Sequence, residues 1–573
     1  MTAGRNVRML GAVTSAVALI AAFLHASPEA RADDTAPVVV QQDFTTSDGV
    51  ALRTTLTSPG PVAARPTVVE FSPYGNNSQT FSFDADYNYL LVQIRGTGSS
   101  RGQFDALGPR TQQDVVEVLD WACTQPFSDG RLALAGFSAS AIMLFNSWHL
   151  HLPCVKAAVT RSGTHELYRD LLVPGGIQNL VPGAGVLGLI GAPIVLQGGD
   201  RVTDPKAAYD AFAGMFTAGV NAGLAHPSLD QWWRDRGWRG DANDIPVLLL
   251  DGFFDVESRG AFEAYQALKG DGAHLLLAGG HDGTPAGTDG GAAEAQAWLD
   301  HYVLGTANGV ESHPRVQLLM SQGDRLRYLQ GDFVRRDGAD WPLPGTSWVP
   351  LHLGARTLSL TKPLLARTQS YATVPSIPTM TDVPNAAIVG AAGLDMITGA
   401  LPLLTQTLLA DLTGLTYTTR ALSSSVDLAG PVTLELPLKT STPNSGIWAV
   451  LSDVAPDGSS HPLTVGRLST SYPGLVPGRS LVQGGDVVQP YGDYSTKQAA
   501  KPGQWRTYQV ELWPVGNRFQ AGHRIRLSLV GSSLASLPSG QPAVHTVRVG
   551  GPNGARILVP VLPGGDLAAA LGG

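Results

Sequence analysis

The sequence predicts an α/β domain built on a parallel sheet, interrupted by a helical cap insertion and followed by an all-β domain of jelly-roll type. Three observations carry this. Apolar runs and helix-period segments alternate between about residues 43 and 160, a pattern that implies a parallel sheet covered on both faces. The same alternation resumes near residue 246 after a lapse into helical and Gly/Pro-rich sequence. From about Arg315 onward, short alternating runs bounded by Gly, Pro, Asn and Asp replace the helical period. The implied division is an export signal over 1–32, the first part of the α/β domain over 33–160, the cap over 161–245, the second part over 246–306, and the β domain over 307–573.

At the amino end, Arg5 and Arg8 precede the uncharged apolar stretch Leu10 to Leu24, and Ala30-Arg31-Ala32 supplies a small-x-small cleavage site. Cleavage is expected after Ala32. The apolar run is shorter than the roughly 20 residues that span a bilayer, so no stable membrane anchor is expected after processing. Strands are expected at Pro66–Phe71, Tyr89–Ile94, Leu132–Ala135 and Val155–Val159, with helices at Gln112–Cys123 and Ala141–His149. The only two cysteines, Cys123 and Cys154, lie on one edge of that sheet and lack zinc-ligand spacing. In an oxidising compartment they read as a disulfide, with two buried thiols as the alternative. The second half offers a strand at Ile245–Leu250, a helix at Gly260–Leu268, a strand at His274–Ala278 and a helix near Ala292–Tyr302. In the β region, Val432–Leu436, Trp448–Leu451 and Arg524–Leu529 read as strands, and residues 384–415 form an apolar, Gly-rich insertion.

Composition excludes several classes of function. Gly 67 and Pro 40 make the chain rich in turns but not low in complexity. A net charge of −8 with no Lys/Arg cluster leaves no footprint for a phosphate backbone, so nucleic acid is not an expected partner. No metal or cofactor is expected. Only 15% of residues are charged, and residues 171–199 contain none. That stretch reads either as ordinary cap core or as the wall of an apolar acyl or aromatic pocket, shared with 384–415.

The chemistry is concentrated at Gly136-Phe137-Ser138-Ala139-Ser140, which follows an apolar strand and precedes a helix. A sharp strand-to-helix turn that exposes a nucleophile tolerates only small residues two before and two after it, and Gly136 and Ser140 satisfy that condition. An acid and then a histidine should follow, each in a loop after a later strand. Asp255 comes after the strand ending at Leu250, with Asp251 as the alternative, and His281 comes after Leu275–Ala278. The catalytic set predicted is therefore Ser138, Asp255 and His281.

The run Arg95 to Phe104, Asp114, Trp121 and Gln125–Gly130 leading into the serine strand resembles the cocaine esterase and X-Pro dipeptidyl-peptidase family of serine hydrolases. So do Phe71–Gly75, Asp340-Trp341-Pro342, Gly430-Pro431-Val432, Asp453–Gly458 and Glu511–Leu527. The resemblance implies an α/β-hydrolase fold and an oxyanion hole made by the Tyr74 hydroxyl and the Ala139 backbone N–H. It also implies a pocket near Tyr168-Arg169-Asp170. Phe137, Tyr168 and Phe254 are candidate pocket residues. Ala139 and Ala141 replace the tyrosine and glycine that the family usually places after the serine, so packing beside the nucleophile must differ.

The expected function is hydrolysis of carboxylic esters, with amides as an alternative, of apolar acyl or aromatic substrates through an acyl-enzyme on Ser138. An X-Pro dipeptidyl-peptidase or α-amino-acid ester hydrolase is the enzymatic alternative, with Glu166, Asp170, Asp200 and Asp204 available to hold a substrate amine. A catalytically dead carbohydrate-binding module is the non-enzymatic one.

Overall fold

The computed structural model describes residues 37–573 apart from 78–81, 85, 179–205, 207–208, 211–212, 215–224, 240–244, 256, 269–271, 282, 374–413, 532–539 and 573. The expected signal, most of the apolar cap stretch and nearly all of the 384–415 insertion lie outside the described residues.

Strands β1 (Val38–Thr45), β2 (Ala51–Ser58), β3 (Arg65–Ser72), β4 (Asn88–Gln93), β5 (Ser128–Phe137), β6 (Val155–Arg161), β7 (Val247–Asp251), β8 (Ala273–Leu277) and β9 (Val316–Ser321) form the first sheet. Their order is β1-β2-β4-β3-β5-β6-β7-β8-β9, antiparallel at β1-β2-β4 and parallel from β4 to β9. The central strands are apolar without alternation because helices cover both faces. Leu132–Ala135, Ala157–Val159 and Val247–Leu250 are all buried. Helix α1 (Pro109–Cys123) starts on a proline and buries Val115, Val118, Leu119 and Ala122. Helix α2 (Ala139–Ser147) is buried on almost every side, as its nearly uniform apolar sequence requires. Cys123, at the end of α1, is disulfide-bonded to Cys154, just before β6, with Cα atoms 6.2 Å apart. The bridge ties the edge of the sheet opposite the serine.

Between β6 and β7 the described residues contain a π-helical turn (Tyr168–Leu172), a 3-10 turn (Pro174–Gly176) and the short helix α3 (Gln231–Arg234). Helices α4 (Ser258–Leu268) and α5 (Ala292–Leu299) follow β7 and β8. The first residues of the apolar stretch dock on the β domain. A Cβ on Gly175 would lie 1.9 Å from the Arg467 carbonyl oxygen, so only glycine allows this approach, and Ile177 packs with Trp448 and Val530.

Beyond β10 (Phe333–Gly338), which pairs antiparallel with β9, the regular structure of the described residues is almost entirely β. The strands are β11 (Ser347–Leu353), β12 (Leu358–Ser359), β13 (Arg367–Thr373), β14 (Leu415–Thr418), β15 (Val426–Thr440), β16 (Gly446–Val454), β17 (Ser460–Ser469), β18 (Leu481–Gln483), β19 (Asp486–Gln489), β20 (Arg506–Phe519), β21 (Arg524–Val530), β22 (Ala543–Val549) and β23 (Arg556–Val561). One group of strands runs β14-β21-β16-β17. In the other, the long strand β15 pairs with β20 on one side and with β23 and β22 on the other; β23 continues to β11 and β22 to β13. A single hydrophobic core runs from the parallel sheet into this domain.

Candidate active site

Ser138 stands between the carboxyl end of β5 and the first turn of α2, with φ 58° and ψ −125°. This left-handed backbone is strained for a residue with a side chain, and the close strand-to-helix turn enforces it. A Cβ on Gly136 would come within 2.6 Å of the Ala141 nitrogen, so the turn closes only over glycine. Ser140 is buried, and its hydroxyl donates to Glu70 Oε1 at 3.1 Å. The Tyr89 hydroxyl donates to the other oxygen of Glu70. Beneath the turn, therefore, a fully buried carboxylate on β3 anchors the residue two after the serine. The sequence signal for it was a single acidic residue inside the apolar strand Thr67–Phe71.

The loop after β7 carries Asp255 and the loop after β8 carries His281. His281 Nδ1 lies 3.0 and 3.1 Å from the two Asp255 oxygens. The His281 backbone N–H also donates to Asp255 Oδ2 at 2.6 Å. Burial opposes ionisation of Asp255, but the facing imidazole and these hydrogen bonds outweigh it and hold the pKa down at about 2. The carboxylate thus stays charged and keeps the imidazole from rotating. The Phe137 ring, on the residue before the serine, packs against the His281 ring at 4.7 Å between centroids. The Ala139 backbone N–H donates to the Tyr74 hydroxyl at 3.0 Å. Burial pushes the Tyr74 phenol up to about 12, which keeps it protonated and able to donate. Tyr74, Phe137, Ser138, Ala139 and His281 are all half-buried, whereas Asp255 and Ser140 are buried. The strand ends bring these residues to one accessible spot.

Two of the three candidate pocket residues lie elsewhere. The Tyr168 ring is 1% exposed, packs edge-on against Trp233, and donates its hydroxyl proton to the Pro227 carbonyl. Phe254 is 2% exposed and packs edge-on against Tyr328. Both belong to the core. Asp251 is buried at the end of β7 and accepts from the Gly252 N–H; Asp255, not Asp251, meets His281.

The sequence reading missed Glu257 and Arg259, although they follow Asp255 by two and four residues. Glu257 Oε1 is 3.8 Å from His281 Nδ1, and its other oxygen has no hydrogen-bond partner. Burial, reinforced by the Asp255 charge, raises its pKa well above the ordinary carboxyl value. Asp255, Glu257 and His281 are also close enough together to suit a metal ion, with the imidazole Nδ1 already facing the Asp255 carboxylate. Arg259 ties three parts of the chain together: its Nη1 lies 2.5 Å from Asp170, its Nε 2.9 Å from Glu511 on β20, and its Nη2 3.5 Å from Glu263. Glu166 is held by Arg169 at 2.8 Å and by the Tyr491 hydroxyl at 2.9 Å. A cleft of 740 Å³ lies beyond this network, lined by His165, Glu166, Trp238, Glu263 and Tyr491 among others. Neither Ser138 nor His281 lines it.

Residues 48–283 match the X-Pro dipeptidyl-peptidase (S15 family), and residues 308–550 match the X-Pro dipeptidyl-peptidase C-terminal non-catalytic domain. The chain is 21% identical to cocaine esterase of Rhodococcus sp. (strain MB1 Bresler) over 549 residues, covering 85% of this chain and 89% of that one. Among solved structures, a CocE/NonD family hydrolase from Staphylococcus aureus superposes with a TM-score of 0.72 at 16% identity, covering 92% of this chain and 94% of that one. An aminopeptidase from a marine sediment archaeon, Thaumarchaeota archaeon, gives 0.72 at 18% identity, covering 94% and 98%. The α/β domain, the β-rich domain behind it and the matches over both halves lead to one assignment: the chain belongs to the cocaine esterase and X-Pro dipeptidyl-peptidase-like family of α/β-hydrolase serine hydrolases.

Proposed function

We propose that the chain is an exported esterase that cleaves carboxylic esters of apolar acyl or aromatic groups, with Ser138 as nucleophile, His281 as general base and Asp255 as its orienting partner. The observation that carries the reading is the His281 imidazole, held by Asp255 on one edge and packed against the ring of Phe137, the residue before Ser138. His281 takes the hydroxyl proton as the Ser138 oxygen attacks the substrate carbonyl. Negative charge then develops on the carbonyl oxygen, where the Tyr74 hydroxyl and the Ala139 N–H are the available donors. In the resting site these two groups bond to each other, and an entering oxyanion would take both. His281 returns the proton to the leaving alcohol, and water activated by the same imidazole releases the acid.

The state of the carboxyl groups favours esters over substrates with a free amine. A substrate ammonium needs an ionised, unshared carboxylate. Asp170 is paired with Arg259 and Glu166 with Arg169, and burial beside Asp255 disfavours the charged form of Glu257. Asp200 and Asp204 lie outside the described residues. Export is supported by the disulfide, which persists only in oxidising compartments. A panel of p-nitrophenyl esters of rising acyl length, aromatic esters, α-amino-acid esters and X-Pro amides tests the proposal. Higher kcat/KM on unsubstituted apolar esters is expected. A preference for substrates with a free α-amine, or for acetyl alone, would reject it.

A further inference from the structure

The β domain carries a surface feature unrelated to the serine site. Between Asp340 and Asp382, and again between Glu511 and Asp566, the sequence contains no acidic residue, although the whole chain has a net charge of −8. Parts of these two stretches meet where β13 pairs with β22. At one end of that pair, the loop between β12 and β13 presents Leu364 and Leu365 at 93% and 72% exposure. Isolated exposed apolar residues are ordinary, but two adjacent leucines exposed to this degree are not.

The loop is built to hold them outward. The Gly551 N–H donates to the Pro363 carbonyl at 2.7 Å, and Lys362 Nζ donates to the Pro552 carbonyl at 2.6 Å. Gly550 has φ +64°, and a Cβ there would lie 2.5 Å from the Leu365 carbonyl oxygen. An apolar groove of 440 Å³ runs beneath the tip, lined by Pro363, Leu364, Leu365 and Val549 among others. Around it stand Arg356, Lys362 and Arg367, all exposed, and Arg548, none of which forms an ion pair among the described residues. Next to β22, Trp505 lies between Arg548 at 4.3 Å and Lys439 at 5.3 Å. Exposed leucines at a rigid tip, a tryptophan behind them and unpaired cations around them form the combination that seats a protein at a lipid–water interface.

We propose that this face docks peripherally on a bilayer carrying anionic headgroups, with Leu364 and Leu365 inserted between lipids and Arg356, Lys362, Arg367 and Arg548 over the phosphates. The partner follows from charge complementarity: the cations around the two leucines, which form no ion pair among the described residues, attract an anionic surface, whereas the molecule as a whole is net negative.

Both native cysteines are bridged, so a single introduced thiol can be labelled in the full-length protein. Leu365→Cys carrying an environment-sensitive fluorophore is mixed with vesicles of phosphatidylcholine alone or with added phosphatidylserine, at low and high salt. A blue shift is expected on the anionic vesicles, weakened by salt. Adding Lys362→Glu and Arg367→Glu should lower the apparent vesicle affinity about tenfold or more. The same label at Val62 should not respond. No shift at position 365 on anionic vesicles would overturn the proposal. So would an equal, salt-insensitive shift on phosphatidylcholine, or a shift that grows with protein concentration without lipid and so reports a second copy as the occupant.

Discussion

At the residue scale the account rests on a few atoms at the carboxyl ends of β5, β7 and β8. Tyr74→Phe removes one oxyanion donor and leaves the fold intact, so kcat should fall roughly 10²–10³-fold with KM little changed. Steady-state kinetics on the best ester of the panel measures this. Asp255→Asn removes the charge that orients His281 and should lower kcat about 10⁴-fold. Asp251→Asn, by contrast, should leave kcat within a few-fold of the parent, since Asp251 does not reach the imidazole. The placement of Ser138 at a strand-to-helix turn and of Asp255 beside His281 was legible in the sequence because small residues around a serine, and acid and histidine in loops after later strands, leave a local pattern. Glu257 and Arg259 were not, because their roles depend on burial and on partners far away in the chain.

At the element scale the parallel sheet was readable from its uninterrupted apolar runs, and each strand appears within a few residues of its expected place. The structure extends β5 back to Ser128, because Arg65 and Ser128 pair before the apolar run begins. Periodicity says nothing about such polar ends. The cap was the least legible element: its described residues are turns and short helices whose order comes from docking on the β domain, not from a repeating apolar stripe. The disulfide closes a separation of 31 residues between α1 and β6. Replacing both cysteines by serine should cost about 3–4 kcal/mol of stability while kcat stays near that of the parent, because the bridge lies at the sheet edge away from Ser138. Chemical denaturation and ester turnover on the same double variant check both halves of this statement.

At the scale of the whole molecule, a buried ionic network joins the cap, α4 and the β domain through Arg259, and together with other buried titratable groups it shapes the pH response of the fold. Asp170 and Asp255 are buried, yet facing Arg259 and His281 respectively they hold a pKa of about 2 against an ordinary 3.8. Their contribution is complete above about pH 4 and is lost as pH falls from there towards 2. His545, buried beside Tyr371, has its pKa lowered to about 4 from 6.5, so stability also declines as pH falls through that window. Glu511 acts in the opposite sense: burial lifts its pKa to about 7 from 4.5, the folded chain keeps the proton longer than the unfolded one, and stability falls as pH rises between those values. Calorimetric melting against pH should therefore show a steeper rise between pH 5 and 7 in Glu511→Gln than in the parent; an unchanged slope would remove Glu511 from this role.

The central claim is that one activated serine performs the chemistry, and covalent labelling tests it most directly. The folded protein is treated with a fluorophosphonate, and the adduct is located by peptide mass spectrometry in the parent, in Ser138→Ala and in His281→Ala. The account predicts a single adduct on Ser138, absent from Ser138→Ala and strongly slowed in His281→Ala. An adduct on another residue, or labelling that persists in Ser138→Ala, would contradict it.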